Sequence, residues 1–121
     1  MKAAKRILVL DDDPHHLSQI ATKLDDWGYI PQPCEEIGSA SLAVAAGIDF
    51  AIIDLFLSGN DGDELSNGFI LHEIIPNNIR YIRMTSAPGL VPQEFSGLGV
   101  YDKRQYRLNA NEFKAFLAQF I

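Results

Sequence analysis

The sequence predicts an α/β domain: a parallel sheet of five strands with helices on both faces. Three observations lead there. Apolar runs at 7–10 and 50–53 lack polar residues, the pattern of strands buried on both sides, and 79–84 is a further strand candidate. Helical stripes alternate with these runs along the chain, as crossover connections between parallel strands require. The 121 residues, 47% hydrophobic and 21% charged, suit one domain, 1–121, with a core of its own.

Each element follows from its residues. Ile7-Leu8-Val9-Leu10 is the first strand. Asp13 then offers an N-cap and Pro14 the first helical position. Leu17, Ile20, Ala21, Leu24 and Trp27 share one helical face, and Gly28 ends the helix. The weaker strand 29–34 carries Pro31 and Pro33, which place it at a sheet edge. An Ala-rich helix over 39–46 stops at Gly47. Phe50-Ala51-Ile52-Ile53 is the next buried strand, with Asp54 at its end. Gly59, Asn60, Asp61, Gly62, Asn67 and Gly68 predict a loop over 58–68. A short helix over 69–75 is closed by Pro76. The strand 79–84 ends in Thr85-Ser86. Pro88, Gly89, Pro92 and Gly97 make 87–98 poor helix material, so any helix between the last two strands is short or missing. Val100-Tyr101 is the last strand and ends at Asp102-Lys103. Asn109-x-x-Glu112 resembles a capping box, and Phe113, Phe116, Leu117 and Phe120 form the final buried stripe.

Charge and cysteine content narrow the function. Ten Lys+Arg against sixteen Asp+Glu give a net charge of −6, which argues against a surface for direct nucleic-acid binding. Cys34 is the single cysteine, so an intramolecular disulfide framework and a multi-Cys zinc site are excluded, and it reads as a packed small hydrophobe. No apolar run approaches the roughly 18 residues of a membrane span, and the run at 7–10 is too brief for a signal-peptide core. The expected location is the cytoplasm.

Ligands of open parallel sheets bind at the carboxyl ends of the strands. Those ends carry Asp11-Asp12-Asp13, Asp54, Thr85-Ser86 and Lys103. Two carboxylates ~4 Å apart repel by about 4 kcal/mol at an effective dielectric near 20, so a divalent cation or Lys103 must relieve the cluster. A few hard oxygens beside an anion site suit Mg²⁺. Metal, carboxylate, hydroxyl and ammonium are the parts of a phosphoryl-transfer site. Asp54 is the expected nucleophile, the Asp11–Asp13 group the metal holder, and Thr85 and Lys103 the ligands of the phosphoryl oxygens. Asp13 is expected chiefly as a helix cap. His15, His16 and His72 are expected as exposed helix residues. Arg80, Arg83, Arg104 and Arg107 are expected as a solvated or partner-docking basic face.

This constellation resembles the receiver domain of bacterial two-component response regulators (CheY-like) over nearly the whole chain. I-L-V-L-D-D-D-P resembles the opening strand with its acidic pair, Asp11 and Asp12; F-A-I-I-D-L-F-L resembles the acceptor strand, with Asp54 as phosphoacceptor. Met84-Thr85-Ser86-Ala87 and Tyr101-Asp102-Lys103 resemble the ends of strands 4 and 5. The resemblance implies the flavodoxin-like strand order 2-1-3-4-5. It also implies Mg²⁺ held by Asp11, Asp12, Asp54 and the carbonyl of Phe56. The implied partners are a histidine kinase or a histidine phosphotransfer protein, with a downstream effector left unnamed. Such a domain is a signalling module in a phosphorelay, not an enzyme, and catalyses only its own phosphorylation and dephosphorylation.

Departures from the family bear on output. Ser58 replaces the usual proline, Asn67-Gly68 is better placed than Asp61-Gly62 to open a helix, and Arg104 follows the lysine in place of proline. The switch aromatic of strand 5 is replaced by Val100. Two other readings compete. In a phosphatase of the haloacid-dehalogenase type, Asp11 is the nucleophile. In a degenerate receiver, the chain is a constitutive interaction module.

Overall fold

The computed structural model describes residues 4–54 and 62–121. Five strands, β1 (Arg6–Leu10), β2 (Ile30–Cys34), β3 (Phe50–Ile53), β4 (Arg80–Thr85) and β5 (Val100–Asp102), form one sheet in the order β2-β1-β3-β4-β5. Every pairing is parallel, with Ile7 opposite Phe50 and Phe50 opposite Arg80. The expected fold class is therefore the observed one. Pro31 and Pro33 lie in β2 at the sheet edge, where a missing N–H on the outer side costs no ladder bond.

Side-chain alternation divides the core in two. Ile7, Val9, Phe50, Ile52, Ile82 and Met84 face helix α1 (Pro14–Asp26) and helix α5 (Ala110–Ala118), meeting Leu17, Ile20, Leu24, Phe113 and Leu117. Leu8, Leu10, Ala51, Ile53 and Tyr81 face the other way, onto Ala40 of helix α2 (Ile37–Ala46) and onto Phe69, Ile70 and Ile74. The start signals of α1 act as read: the Asp13 carboxylate accepts from the N–H groups of His15 at 3.0 Å and His16 at 3.4 Å, with Pro14 opening the helix. Asn109 likewise caps α5 through the N–H of Asn111, and Asp102 caps a short helix α4 (Lys103–Leu108) absent from the sequence-based expectation.

The acceptor-side helix departs from expectation. Helix α3 is described over Gly62–Phe69, so Asn67 and Gly68 lie inside it instead of opening it. Gly68 costs a helix interior about 1 kcal/mol, which burial of Ser66, Phe69 and Ile70 offsets. The helix then widens into a π turn, Ile70–Ile74, in which the N–H of Ile75 reaches the carbonyl of Ile70 at 2.9 Å. Residues 58–61 of the predicted loop lie outside the described residues.

Between β4 and β5 the chain makes two 3₁₀ turns, Pro88–Leu90 and Gln93–Phe95, in keeping with a proline content that disfavours a longer helix. Gly97 closes this segment against β4 with φ 60°, and an added Cβ would lie 2.3 Å from the Tyr81 carbonyl oxygen. Gly97→Ala is therefore expected to destabilise the fold by about 2 kcal/mol or more, from the left-handed backbone and the clash together. Urea unfolding checks this, and a change under about 0.5 kcal/mol, the scale of a neutral surface substitution, would contradict it.

Among the described residues no helix is long and apolar enough to cross a membrane. Cys34 is buried, as expected, and burial pushes its thiol pKa up.

Candidate functional site

β1 and β3 are neighbours, and the N–H of Asp54 continues their ladder by reaching the Leu10 carbonyl at 2.9 Å. That bond sets the end of β3 beside Asp11. One carboxylate oxygen each of Asp11, Asp12 and Asp54 lie within 4.8 Å of one another. Asp11 and Asp54 are buried and Asp12 is half-buried. Lys103 reaches over from the end of β5, its ammonium 2.9 Å from Asp11 Oδ2 and 3.2 Å from Asp54 Oδ1. Thr85 is fully buried at the end of β4, opposite Asp102 in register, and its Oγ1 accepts from the Ala87 N–H at 3.1 Å. Thus the sheet gathers Asp11, Asp12, Asp54, Thr85 and Lys103 at one end. Phe56 lies outside the described residues.

The two buried carboxylates are electrostatically unlike. Burial alone would raise Asp11, but the His16 hydrogen bond and the Lys103 charge outweigh it and hold its pKa below the usual carboxylate value. Asp54 is pushed up to about 7, first by burial and then by the negative charge of Asp11, with Lys103 only partly offsetting them. Lys103 is desolvated too, yet Asp54 and Asp11 raise its pKa, so it stays charged at neutral pH. The site holds more negative charge than Lys103 relieves. Three hard carboxylate oxygens this close fit Mg²⁺, whose charge would bring Asp54 into its ionised form at neutral pH.

Two residues were misread from the sequence. His16 is buried, and its Nδ1 lies 2.6 Å from Asp11 Oδ2, with its ring edge-on to Tyr106 at 5.7 Å. It sits four residues before Ile20, which sits four before Leu24, so the buried stripe of α1 already included it. Arg83 is 0% exposed and belongs to no basic surface. Its Nε–H donates to the Ile53 carbonyl at 3.2 Å, and its two Nη groups donate to Asn67 Oδ1, Phe95 O, Asp54 O and Ser66 Oγ at 2.8–3.2 Å. The signal was available: β4 lies inside the sheet, so a residue between Ile82 and Met84 has no solvent to face. Val100, where the resemblance to receiver domains led one to expect an aromatic, is half-buried; Tyr101 lies on the opposite face against Phe113 and Phe116.

No protein-family model and no curated protein matches the chain. Solved structures do match. The response regulator TrrA from Thermotoga maritima, in complex with Mg²⁺-BeF, is 23% identical with a TM-score of 0.75, over 97% of this chain and 99% of that one. The chemotaxis protein CheY4 from Vibrio cholerae is 16% identical with a TM-score of 0.76, over 98% and 100%. The receiver domain of HemR from Leptospira biflexa, non-phosphorylated, is 20% identical with a TM-score of 0.73, over 95% and 92%. Over 95–98% of its length the chain matches these structures, and its fold is that of CheY-like receiver domains.

Proposed function

We propose that the chain is a phosphoacceptor receiver domain that takes a phosphoryl group onto Asp54 from a histidine kinase or a histidine phosphotransfer protein. The single observation that carries this reading is the Asp11–Asp12–Asp54 cluster bridged by Lys103, at the carboxyl end of a sheet with the receiver fold. In the transfer, an Asp54 carboxylate oxygen attacks phosphorus, the phosphorus–nitrogen bond of the donor histidine breaks, and the imidazole leaves with its electron pair. Asp11, Asp12, Asp54 and the carbonyl of Phe56 are the proposed Mg²⁺ ligands. The bound metal supplies charge neutralisation of the incoming phosphoryl oxygens. Lys103 holds Asp54 ready and then pairs with the new anion, and the Thr85 hydroxyl binds a phosphoryl oxygen.

The phosphatase alternative gains less from the geometry. The Asp11 carboxylate is held in place by its neighbours: Oδ1 accepts from the Asp13 N–H at 2.9 Å, and Oδ2 faces both His16 and Lys103, an arrangement that suits a fixed metal ligand better than an attacking group. Labelling with a small phosphodonor separates the readings. Phosphate on Asp54 supports the receiver, phosphate on Asp11 the phosphatase, and an unlabelled chain the constitutive module.

The lifetime of the acyl phosphate follows from two side chains. Phe56 and Ala87, two residues beyond the acceptor and the hydroxyl, offer no hydrogen bond to an attacking water. Slow hydrolysis is expected, and Phe56→Asn is expected to shorten the phosphoryl lifetime severalfold. An unchanged lifetime would count against it.

A further inference from the structure

We propose that Arg83 is a positioning residue that fixes the main chain of Asp54 and carries the charge state of that side chain to the 92–95 segment. The inference rests on the acceptor reading above. All five N–H groups of the guanidinium are used, and they reach three parts of the fold. The carbonyls of Ile53 and Asp54 belong to the acceptor end of β3, Ser66 and Asn67 to α3, and the Phe95 carbonyl to the second 3₁₀ turn. Every one of those acceptors is neutral, and among the described residues no carboxylate forms an ion pair with Arg83.

A cation buried without a paired anion is held by its hydrogen bonds and by the field of the nearest negative group. Burial lowers the Arg83 pKa to about 10, which leaves it charged at neutral pH, and Asp54 is the carboxylate whose charge acts on it. A phosphoryl group on Asp54 adds negative charge and draws the guanidinium toward β3. The guanidinium is planar and rigid, so its partners must follow or let go. Ile53, Ser66, Asn67 and Asp54 stand on or beside regular, packed elements. The Phe95 carbonyl stands on a short turn with no fully buried residue, its ring half-buried against the core, in a segment punctuated by Pro88, Gly89 and Pro92. Such a segment rearranges at small cost, so it is where the displacement appears. Val100 pairs with Arg83 in register and shares its face of the sheet, so Arg83 occupies the interior beneath that position.

The test uses the full chain, with Mg²⁺ and beryllofluoride as a phosphoryl analogue. In the wild type, beryllofluoride is expected to change amide exchange over residues 92–96 by about tenfold, a usual size for coupling between sites. The Arg83 Nε–H resonance is expected to move in the same titration. In Arg83→Met the anion still binds, while the response at 92–96 falls below about twofold. A full response in Arg83→Met, or an Nε–H resonance that stays still in the wild type with anion bound, overturns the inference. The resonance decides the matter alone if Arg83→Met fails to fold. A wild type that takes up no anion overturns the acceptor reading and this inference with it, whereas anion uptake with a motionless Arg83 overturns only the latter.

Discussion

Asp54→Asn is expected to make the metal-free protein more stable at pH 8, by about 4 kcal/mol, and to make little difference near pH 4. The Asp54 pKa is about 7 in the folded chain against 3.8 for a free side chain. Between those two values the folded state holds a proton that the unfolded state has released. Stability of the wild type therefore falls as pH rises through that window, by roughly 1.4 kcal/mol for each pH unit, and levels off above about 7. Asparagine carries no proton to lose, so the variant does not decline there. Mg²⁺ is expected to narrow the gap at pH 8, because it binds the ionised wild-type cluster and stabilises the folded state by mass action. Denaturant unfolding from pH 4 to 8, with and without Mg²⁺, reads all of this. A gap that does not change with pH would contradict the strain assigned to Asp54.

Lys103→Met is the second large effect. Its ammonium faces both Asp11 and Asp54, and removing one partner of a buried ion pair costs about 3–5 kcal/mol because the other charges are left uncompensated. The loss is expected to be largest at high pH. It narrows as pH falls toward about 7, because without the ammonium Asp54 is pushed up further and takes up its proton before the wild type does, and it narrows again in acid as Asp11 is protonated. Phosphorylation of Asp54 is expected to slow by about 10²–10³, the usual effect of removing one group that meets developing negative charge. A variant as stable as wild type at pH 8, phosphorylated at an equal rate, would show that Lys103 neither supports the cluster nor assists the transfer.

The fold was readable where local signals agreed. Ile7-Leu8-Val9-Leu10, the Asp13-Pro14 cap and the prolines of β2 each named an element and its place in the sheet. Strand ends then brought Asp11, Asp54, Thr85 and Lys103 together, because a parallel sheet gathers its carboxyl ends by construction. Reading failed where a local preference lost to packing. Asn67 and Gly68 favour a turn on their own, yet burial of Ser66 and Phe69 keeps them helical. His16 and Arg83 were judged by residue type, although their positions in the stripe of α1 and inside the sheet fixed them as buried. What each bonds to there depends on side-chain geometry, which no spacing in the sequence encodes. Their partners are Asp11 and the main chain of Asp54, so the misread residues border the site itself.

The most direct test of phosphoacceptance is labelling of the purified chain with a small phosphodonor such as acetyl phosphate, followed by peptide mapping by mass spectrometry. One phosphoryl group on the peptide containing Asp54 is expected in Mg²⁺, with none after chelation and none in Asp54→Asn. An unlabelled wild type, or label that persists on Asp11 in Asp54→Asn, would contradict the assignment of Asp54 as the acceptor.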